Sequence, residues 1–262
     1  MKITTWNCNS VRLRMQHIEI IADELGSDII CLQELKAQQE QIDIDAFIKL
    51  GYKYSYIRGE KAYNGVGIFS KIPLTNIQML DFGGNNQARH IMGVLPNGTE
   101  LHNFYVPAGR DEPDPINNPS FAHKLQYMDD IIEYWNKRKN VSVIILGDLN
   151  IAPYEHDVWS HKQLLKVISH TPLETERMGK LKDTQNFIDS GRHFVDMNEK
   201  LYSWWSYRNK DWKKSNRGRR LDHIWLTPDL GDKLISYNGW SAARDWVKPS
   251  DHVPITIEVD LE

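Results

Sequence analysis

The sequence predicts an α/β protein in which mixed β-sheets carry helices on their outer faces. Short apolar, β-branched runs alternate with segments of helical periodicity. Several neighbouring runs, above all those between Gly65 and Tyr105, follow one another with no helix between them. They read as a strand meander and exclude a purely parallel, doubly wound sheet. The 262 residues contain no low-complexity linker or break in composition. Residues 1–262 therefore read as one domain, long enough for a substantial core.

Each element has its own signal. Residues 3–9 open the chain as a strand, with no signal-type apolar region before them. Residues 15–25 place Ile18, Ile21, Ala22 and Leu25 at spacings of three and four, and Gly26 can close that helix. Strands are expected at 28–33, 52–57, 66–70, 90–95 and 100–105. Residues 121–139 form a helix with Leu125, Met128, Ile131, Ile132 and Trp135 on one side and basic residues at its end. A buried strand follows at 141–146. Thr171-Pro172-Leu173-Glu174 is a capping box with Pro at the first helical position. It starts a helix running to about residue 187. Strands at 220–226 and 253–259 complete the set.

Composition bounds the function. Apolar residues make up 40% and charged residues 26%, as in an ordinary soluble globular protein. No apolar run approaches ~18 residues, which excludes an ordinary membrane span. Cys8 and Cys31 both lie in strand-like runs and read as buried free thiols of a reducing compartment, so the expected location is the cytoplasm. A net charge of −3 is no global signature of nucleic-acid binding. Locally the balance reverses. Residues 208–220 hold Arg208, Lys210, Lys213, Lys214, Arg217, Arg219 and Arg220 against one anion, Asp211. That stretch is either a solvated loop or a phosphate-binding clamp. Trp212 within it would wedge into a groove or beside a missing base, or would fold back and anchor the loop.

The chemistry sits at strand ends. The run Val141-Ser142-Val143-Ile144-Ile145-Leu146 stops at Gly147-Asp148-Leu149-Asn150, delivering a carboxylate and a carboxamide two residues apart. In strand geometry both would project from one side, with Asp148 taking a proton from water and Asn150 holding it; the bland alternative is a strand-closing turn. Ile29-Ile30-Cys31-Leu32-Gln33 ends at Glu34, an oxygen donor suited to magnesium or else a surface carboxylate. Asp222 lies inside the apolar strand Arg220-Leu221-Asp222-His223-Ile224, where an unpaired carboxylate is costly. It needs a partner: His252, a metal or an adjacent arginine. Pro249-Ser250-Asp251-His252 can place an imidazolium against developing phosphorane charge. Acids, amides and imidazoles gathered at strand ends suit metal-assisted phosphate ester cleavage.

The same residues fall in ordered motifs: Trp6-Asn7-Cys8-Asn9-Ser10-Val11-Arg12, Leu32-Gln33-Glu34-Leu35-Lys36, Asn64-Gly65-Val66-Gly67-Ile68, Tyr105-Val106-Pro107, Gly147-Asp148-Leu149-Asn150, Ser203-Trp204-Trp205, Arg220-Leu221-Asp222-His223 and Lys248-Pro249-Ser250-Asp251-His252. Together they resemble the exonuclease III/abasic-site endonuclease family of the endonuclease–exonuclease–phosphatase superfamily, over essentially the whole chain. The resemblance implies a deoxyribonuclease I-like, four-layered α/β sandwich with two mixed sheets face to face. It implies Glu34 as main metal ligand with Asn7 beside it and Asp251 contributing, for magnesium, with manganese able to substitute. Asp148 would activate or orient water and Asn150 would position it. Tyr105 and His252 would contact the scissile phosphate, Asp251 would orient His252, and Asp222 would complete the cluster. Arg12, Lys36 and Arg89 match positions near the DNA backbone, while Trp204 and Leu221 would wall a pocket for a base-free sugar.

The implied function is a magnesium-dependent repair nuclease that cuts 5′ to abasic sites and trims duplex DNA from 3′ ends. It would act as a monomer on duplex DNA, with Trp212, Lys213, Lys214, Arg217 and Arg219 in the clamp and no membrane partner. Two positions depart from the pattern. Ala108 stands where many relatives place a phosphate-contacting amide, and Arg219 stands where an apolar residue lines the sugar pocket. Both bear on lesion preference, not on phosphodiester chemistry. The rivals are a phosphatase or phospholipase of the same superfamily, which lacks the basic Trp212 loop, and a non-catalytic DNA-binding module, which should have lost some of these groups.

Overall fold

Strands that are apolar on both faces need cover on both, and the fold supplies it with two sheets between two helical layers. The structure, a computed structural model, describes residues 1–209 and 211–261; Lys210 of the basic stretch lies outside the described residues. In chain order the strands are β1 (Lys2–Asn7), β2 (Ile29–Gln33), β3 (Tyr54–Arg58), β4 (Val66–Ser70), β5 (Thr75–Gln78), β6 (His90–Val94), β7 (Glu100–Tyr105), β8 (Val143–Asp148), β9 (Ile188–Asp189), β10 (Trp204–Trp205), β11 (Gly218–Arg219), β12 (Asp222–Leu226), β13 (Leu234–Gly239) and β14 (Ile255–Val259). The helices are α1 (Met15–Ile20), α2 (Ile44–Lys49), α3 (Pro119–Asn136), α4 (His161–Leu164), α5 (Pro172–Gln185), α6 (Ser190–Phe194) and α7 (Trp212–Ser215). Past α1 the chain continues through a wider turn, Ile21–Leu25, to Gly26 in the left-handed conformation.

One six-stranded sheet runs β13-β14-β1-β2-β4-β3 and the other β5-β6-β7-β8-β12-β9. Their inner faces share a core. Ile29, Cys31 and Ile68 from the first sheet join Ile91, Leu101, Ile144, Leu146 and Ile224 from the second. The intervening residues face out. Ile30, Leu32 and Phe69 pack with Ile18, Ile21 and Phe47, while Phe104, Ile145 and Trp225 pack with Met128, Ile131 and Met178. Both faces are covered, so these strands read as unbroken apolar runs instead of alternating ones.

Every predicted strand and helix is present with shifted ends, but the Gly65–Tyr105 stretch is not one meander. β4 pairs with β2 and β3 in the first sheet, whereas β5, β6 and β7 lie in the second. The chain crosses between sheets at Lys71-Ile72-Pro73-Leu74, where Pro73 denies a ladder donor and buried Leu74 enters the shared core.

The topology gathers strand ends at one edge. Parallel β1 and β2 set Asn7 opposite Gln33, and parallel β7 and β8 set Tyr105 opposite Asp148. Gly147 permits that second approach, because a Cβ there would overlap the Phe104 carbonyl. Antiparallel β12 sets Asp222 opposite Asp148, and a lone bridge joins Trp204 to His252.

Arg220, counted above with the basic loop, is not on the surface. Its guanidinium is buried on Asp189 (2.8 and 2.7 Å) and Asp157 (2.9 Å), and Arg192 holds the other Asp157 oxygen. Arg220 lies between β11 and β12 with its side chain turned into the interior, while its neighbour Arg219 lines the cleft. Arg220→Leu leaves buried Asp189 without its cation and Asp157 with Arg192 alone, and is expected to destabilise the fold by about 3–5 kcal/mol in urea unfolding. Ala at exposed Lys214 should move it by less than about 0.5 kcal/mol.

Candidate active site

Asn7 ends β1 fully buried, and its Nδ2 donates both to Glu34 Oε1 (3.0 Å) and to Asp148 Oδ2 (2.9 Å). It thereby ties the acid after β2 to the acid ending β8, one from each sheet. Tyr105, at the end of β7, donates its hydroxyl to the same Glu34 oxygen at 2.8 Å. Glu34 Oε2 faces the Lys36 ammonium at 2.7 Å, and Lys36 also donates to Asn9 Oδ1 at 2.7 Å. Glu34 and Asn150 both adopt left-handed backbone, with φ of 53° each, which turns the chain sharply at the strand ends and costs energy that the surroundings must hold.

Beyond Asp148 the predicted turn and the predicted chemistry coexist. The Asn150 amide donates to Asp148 Oδ1 (3.0 Å), while its side chain donates to Asp148 Oδ2 (3.2 Å) and the Val106 carbonyl (2.8 Å). His252 completes the cluster. Its Nδ1 donates to Asp222 Oδ2 at 2.8 Å, and its Nε2 stands 3.7 Å from Asp148 Oδ2.

The expectation that Asp251 orients His252 does not hold. Asp251 accepts from Trp204 Nε1 (2.9 Å) and Asn9 Nδ2 (3.3 Å), because consecutive residues of an extended segment project to opposite sides. The partner of His252 is Asp222. That carboxylate also accepts from Ser203 Oγ at 2.7 Å, and Ser203 Oγ accepts in turn from the Leu221 and Asp222 amides. Ser203 and Asn9 were visible only as members of motifs, since a lone serine or asparagine carries no chemical signature.

Electrostatics divide the acids. Burial alone would raise the Glu34 carboxyl, but Lys36 and the hydrogen bonds from Asn7 and Tyr105 outweigh it and hold it low. At Asp148 burial, with nearby Asp222 and Glu34, outweighs the lowering by the His252 imidazolium 3.7 Å away and by the Asn7 hydrogen bond, and pushes the carboxyl up to about 7. Burial opposes the His252 imidazolium, yet the Asp222 and Asp148 carboxylates raise it to about 10. A buried imidazolium thus lies between two carboxylates.

Two donor sets are present for a cation. Asp148, Asp222 and His252 bring ligand atoms within 4.8 Å of one another. Their atoms already bond each other and Ser203, although Asp222 Oδ1 is buried with no partner. Glu34 offers carboxylate oxygens, and the ammonium 2.7 Å away marks where it accepts positive charge; Asn7, whose Nδ2 faces Glu34 while its Oδ1 accepts from the Asn9 amide, would add an oxygen by turning its amide over. Hard divalent ions prefer such oxygen sets, so the residues fit one.

A cleft of about 500 Å³ opens beside Trp204, lined among others by Arg110, Trp159, Arg208, Arg217 and Arg219. The Arg217 guanidinium lies 4.7 Å over Trp159, and that of Arg219 5.2 Å over Trp204. Arg219 donates to the Ile168 carbonyl (3.0 Å) and Ser169 Oγ (2.8 Å), so it fills one wall. Leu221 lies beneath Trp204, buried with Ala152, Val158 and Leu164. On the other side of Tyr105, buried Arg89 stacks on its ring at 4.8 Å and lines a second cleft with Tyr63 and His123.

The basic loop is partly tethered. Trp212 packs on Trp205 with ring centroids 5.1 Å apart and donates Nε1 to Asp245 at 3.2 Å, so its indole anchors the loop and is no free wedge. Lys213 reaches the same carboxylate at 2.6 Å, whereas Lys214 and Arg217 are exposed. Arg12 is exposed on the short turn Val11–Leu13. No helix among the described residues is long and apolar enough to cross a membrane.

The model of the Endonuclease/Exonuclease/phosphatase family matches residues 4–252. Exodeoxyribonuclease III of Haemophilus influenzae is 30% identical over 272 residues, covering 98% of this chain and 99% of that one. Among solved structures, an AP endonuclease from Archaeoglobus fulgidus aligns with a TM-score of 0.91 at 28% identity, over 99% of both chains. The 3′ phosphatase NExo from Neisseria, bound to a product DNA hairpin, aligns with a TM-score of 0.90 at 28% identity, again over 99% of both.

Proposed function

The chain belongs to the endonuclease/exonuclease/phosphatase family, and from that premise we propose that it is a DNA repair nuclease acting on duplex DNA at base-free sites and 3′ ends. The observation that carries this reading is the cluster joining Asn7, Glu34, Tyr105, Asp148 and His252 across both sheets, beside a cleft of arginines stacked on tryptophans. Arginine–aromatic walls suit phosphates and splayed nucleotides.

In this reading Asp148, pushed up to about 7, takes the proton of the attacking water while Asn150 holds that water in line. His252, kept cationic by Asp222, meets the charge growing on the phosphate oxygens. Tyr105 directs its hydroxyl at Glu34 and can turn it toward the phosphate. Glu34 and Asn7, with Asp251 nearby through Asn9, would hold magnesium, whose charge stabilises the pentacovalent phosphorus when bound. Lys214, Arg208 and Arg217 would grip the backbone, with Arg12, Lys36 and Arg89 along the same strand.

Arg219 favours a second emphasis within this reading. A cationic wall in the cleft suits an anionic 3′ terminus better than a neutral base-free sugar. The test is the purified protein with magnesium on three matched duplexes: one with an abasic analogue, one with an intact recessed 3′ end, and one nicked with a 3′ phosphate. Metal-dependent cleavage of at least one is expected, with the phosphorylated nick processed faster than the abasic analogue. Arg219→Leu should then narrow that ratio. No cleavage of any duplex, in a preparation free of host nuclease, sinks the proposal.

A further inference from the structure

Behind the site, α3 buries a lysine entirely. Lys124 Nζ lies 2.6 Å from Glu174 Oε1 and donates to the carbonyls of Asn150 (2.8 Å) and Ala108 (3.3 Å). Both side chains are fully buried. Glu174 in turn accepts from the Ser169 and Thr171 amides and from the Thr171 hydroxyl. A buried ion pair adds little stability over an apolar pair of the same volume, so stability does not account for this one.

Its partners do. The two carbonyls belong to the loops that leave parallel β7 and β8, one following Tyr105 and the other following Asp148 and carrying Asn150. An ammonium has three donors, and here it meets three acceptors: one carboxylate and one carbonyl from each loop. Asn150 is held in left-handed backbone, a state that persists only where its surroundings over-determine it. With its carbonyl fixed, its side chain is aimed at Asp148 and Val106.

We propose that Lys124, anchored by Glu174, is a positioning residue that fixes Asn150, and through it Asp148, for the hydrolysis proposed above, on which this role rests. An apolar pair would fill the space and leave both carbonyls without a donor.

Lys124→Met alone strands a buried anion and can unfold the protein, so the deciding variant is Lys124→Met/Glu174→Gln, which removes both charges. The melting temperature should fall by a few degrees, because two buried carbonyls lose their donor, while duplex binding and KM stay close to the parent. The turnover number should fall by about tenfold to a hundredfold, as loosened geometry costs. Asn150→Ala should cost less in that background than in the parent, because the two changes disturb one unit. A folded double variant with parental kcat overturns the positioning role, as does an Asn150→Ala cost that is equal in both backgrounds. If the double variant does not fold, Glu174→Gln alone decides: kcat falls at constant KM under the proposal, and parental kcat overturns it. A parent that cuts none of the three duplexes overturns the proposed function itself, a failure distinct from these.

Discussion

Asp148→Asn is expected to remove about 10²–10⁴-fold of turnover, the usual worth of a positioned general base. The substitution is close to isosteric. Its remaining amide oxygen can still accept from Asn7 and Asn150, which now bond the carboxylate at 2.9 and 3.2 Å. The melting temperature should therefore change little, which separates a chemical loss from a structural one. The pH profile gives a second reading. In the parent, burial pushes Asp148 up to about 7 and its carboxylate neighbours hold His252 up to about 10. A base must be deprotonated and an imidazolium protonated, so kcat should rise with pH through about 7 and fall again toward about 10. The rise should vanish in Asp148→Asn, since the group that titrates there is gone. Unimpaired turnover, or an unchanged acidic limb in the variant, would remove Asp148 from the mechanism.

The second large effect concerns His252. His252→Ala and Asp222→Ala should each lose on the order of 10²-fold or more, and the double variant should be little worse than His252→Ala alone. The bond from Nδ1 to Asp222 at 2.8 Å makes the two one unit. Asp251→Ala should instead multiply with His252→Ala, because Asp251 is held by Trp204 and Asn9. If Asp251 proved non-additive and Asp222 additive, the geometry of the pair would be wrong. Duplex cleavage rates for the five variants, at saturating and limiting substrate, suffice to tell.

Why the dyad was legible only in part follows from what a sequence records. Asp222 declared itself by being a carboxylate in an apolar strand, which required some partner. Choosing among His252, a metal and an arginine needed the register that sets β12 against β8. Arg220 shows the same limit, since only the folded placement of the link between β11 and β12 turns this arginine of a basic stretch toward Asp157 and Asp189. The long buried strands were readable because two covered faces demand unbroken apolar runs. β5 and β13 were not: Thr75–Gln78 and Leu234–Gly239 are edge strands with mostly exposed side chains, so no burial pattern marks them. Lys124 and Glu174 lay in plain view as two ordinary helix residues, and only the packing of α3 against α5 brings their charges together.

The cluster draws on residue 7 and on residue 252, and β1 finds its antiparallel neighbour only in β14. The cluster is therefore incomplete in a growing chain until residue 252 has been added. Until β14 is made, the first sheet lacks the antiparallel partner of β1, and before His252 is added Glu34 and Asp148 have no imidazolium beside them. A polypeptide interrupted before residue 252 is left without a centre that can break a phosphodiester.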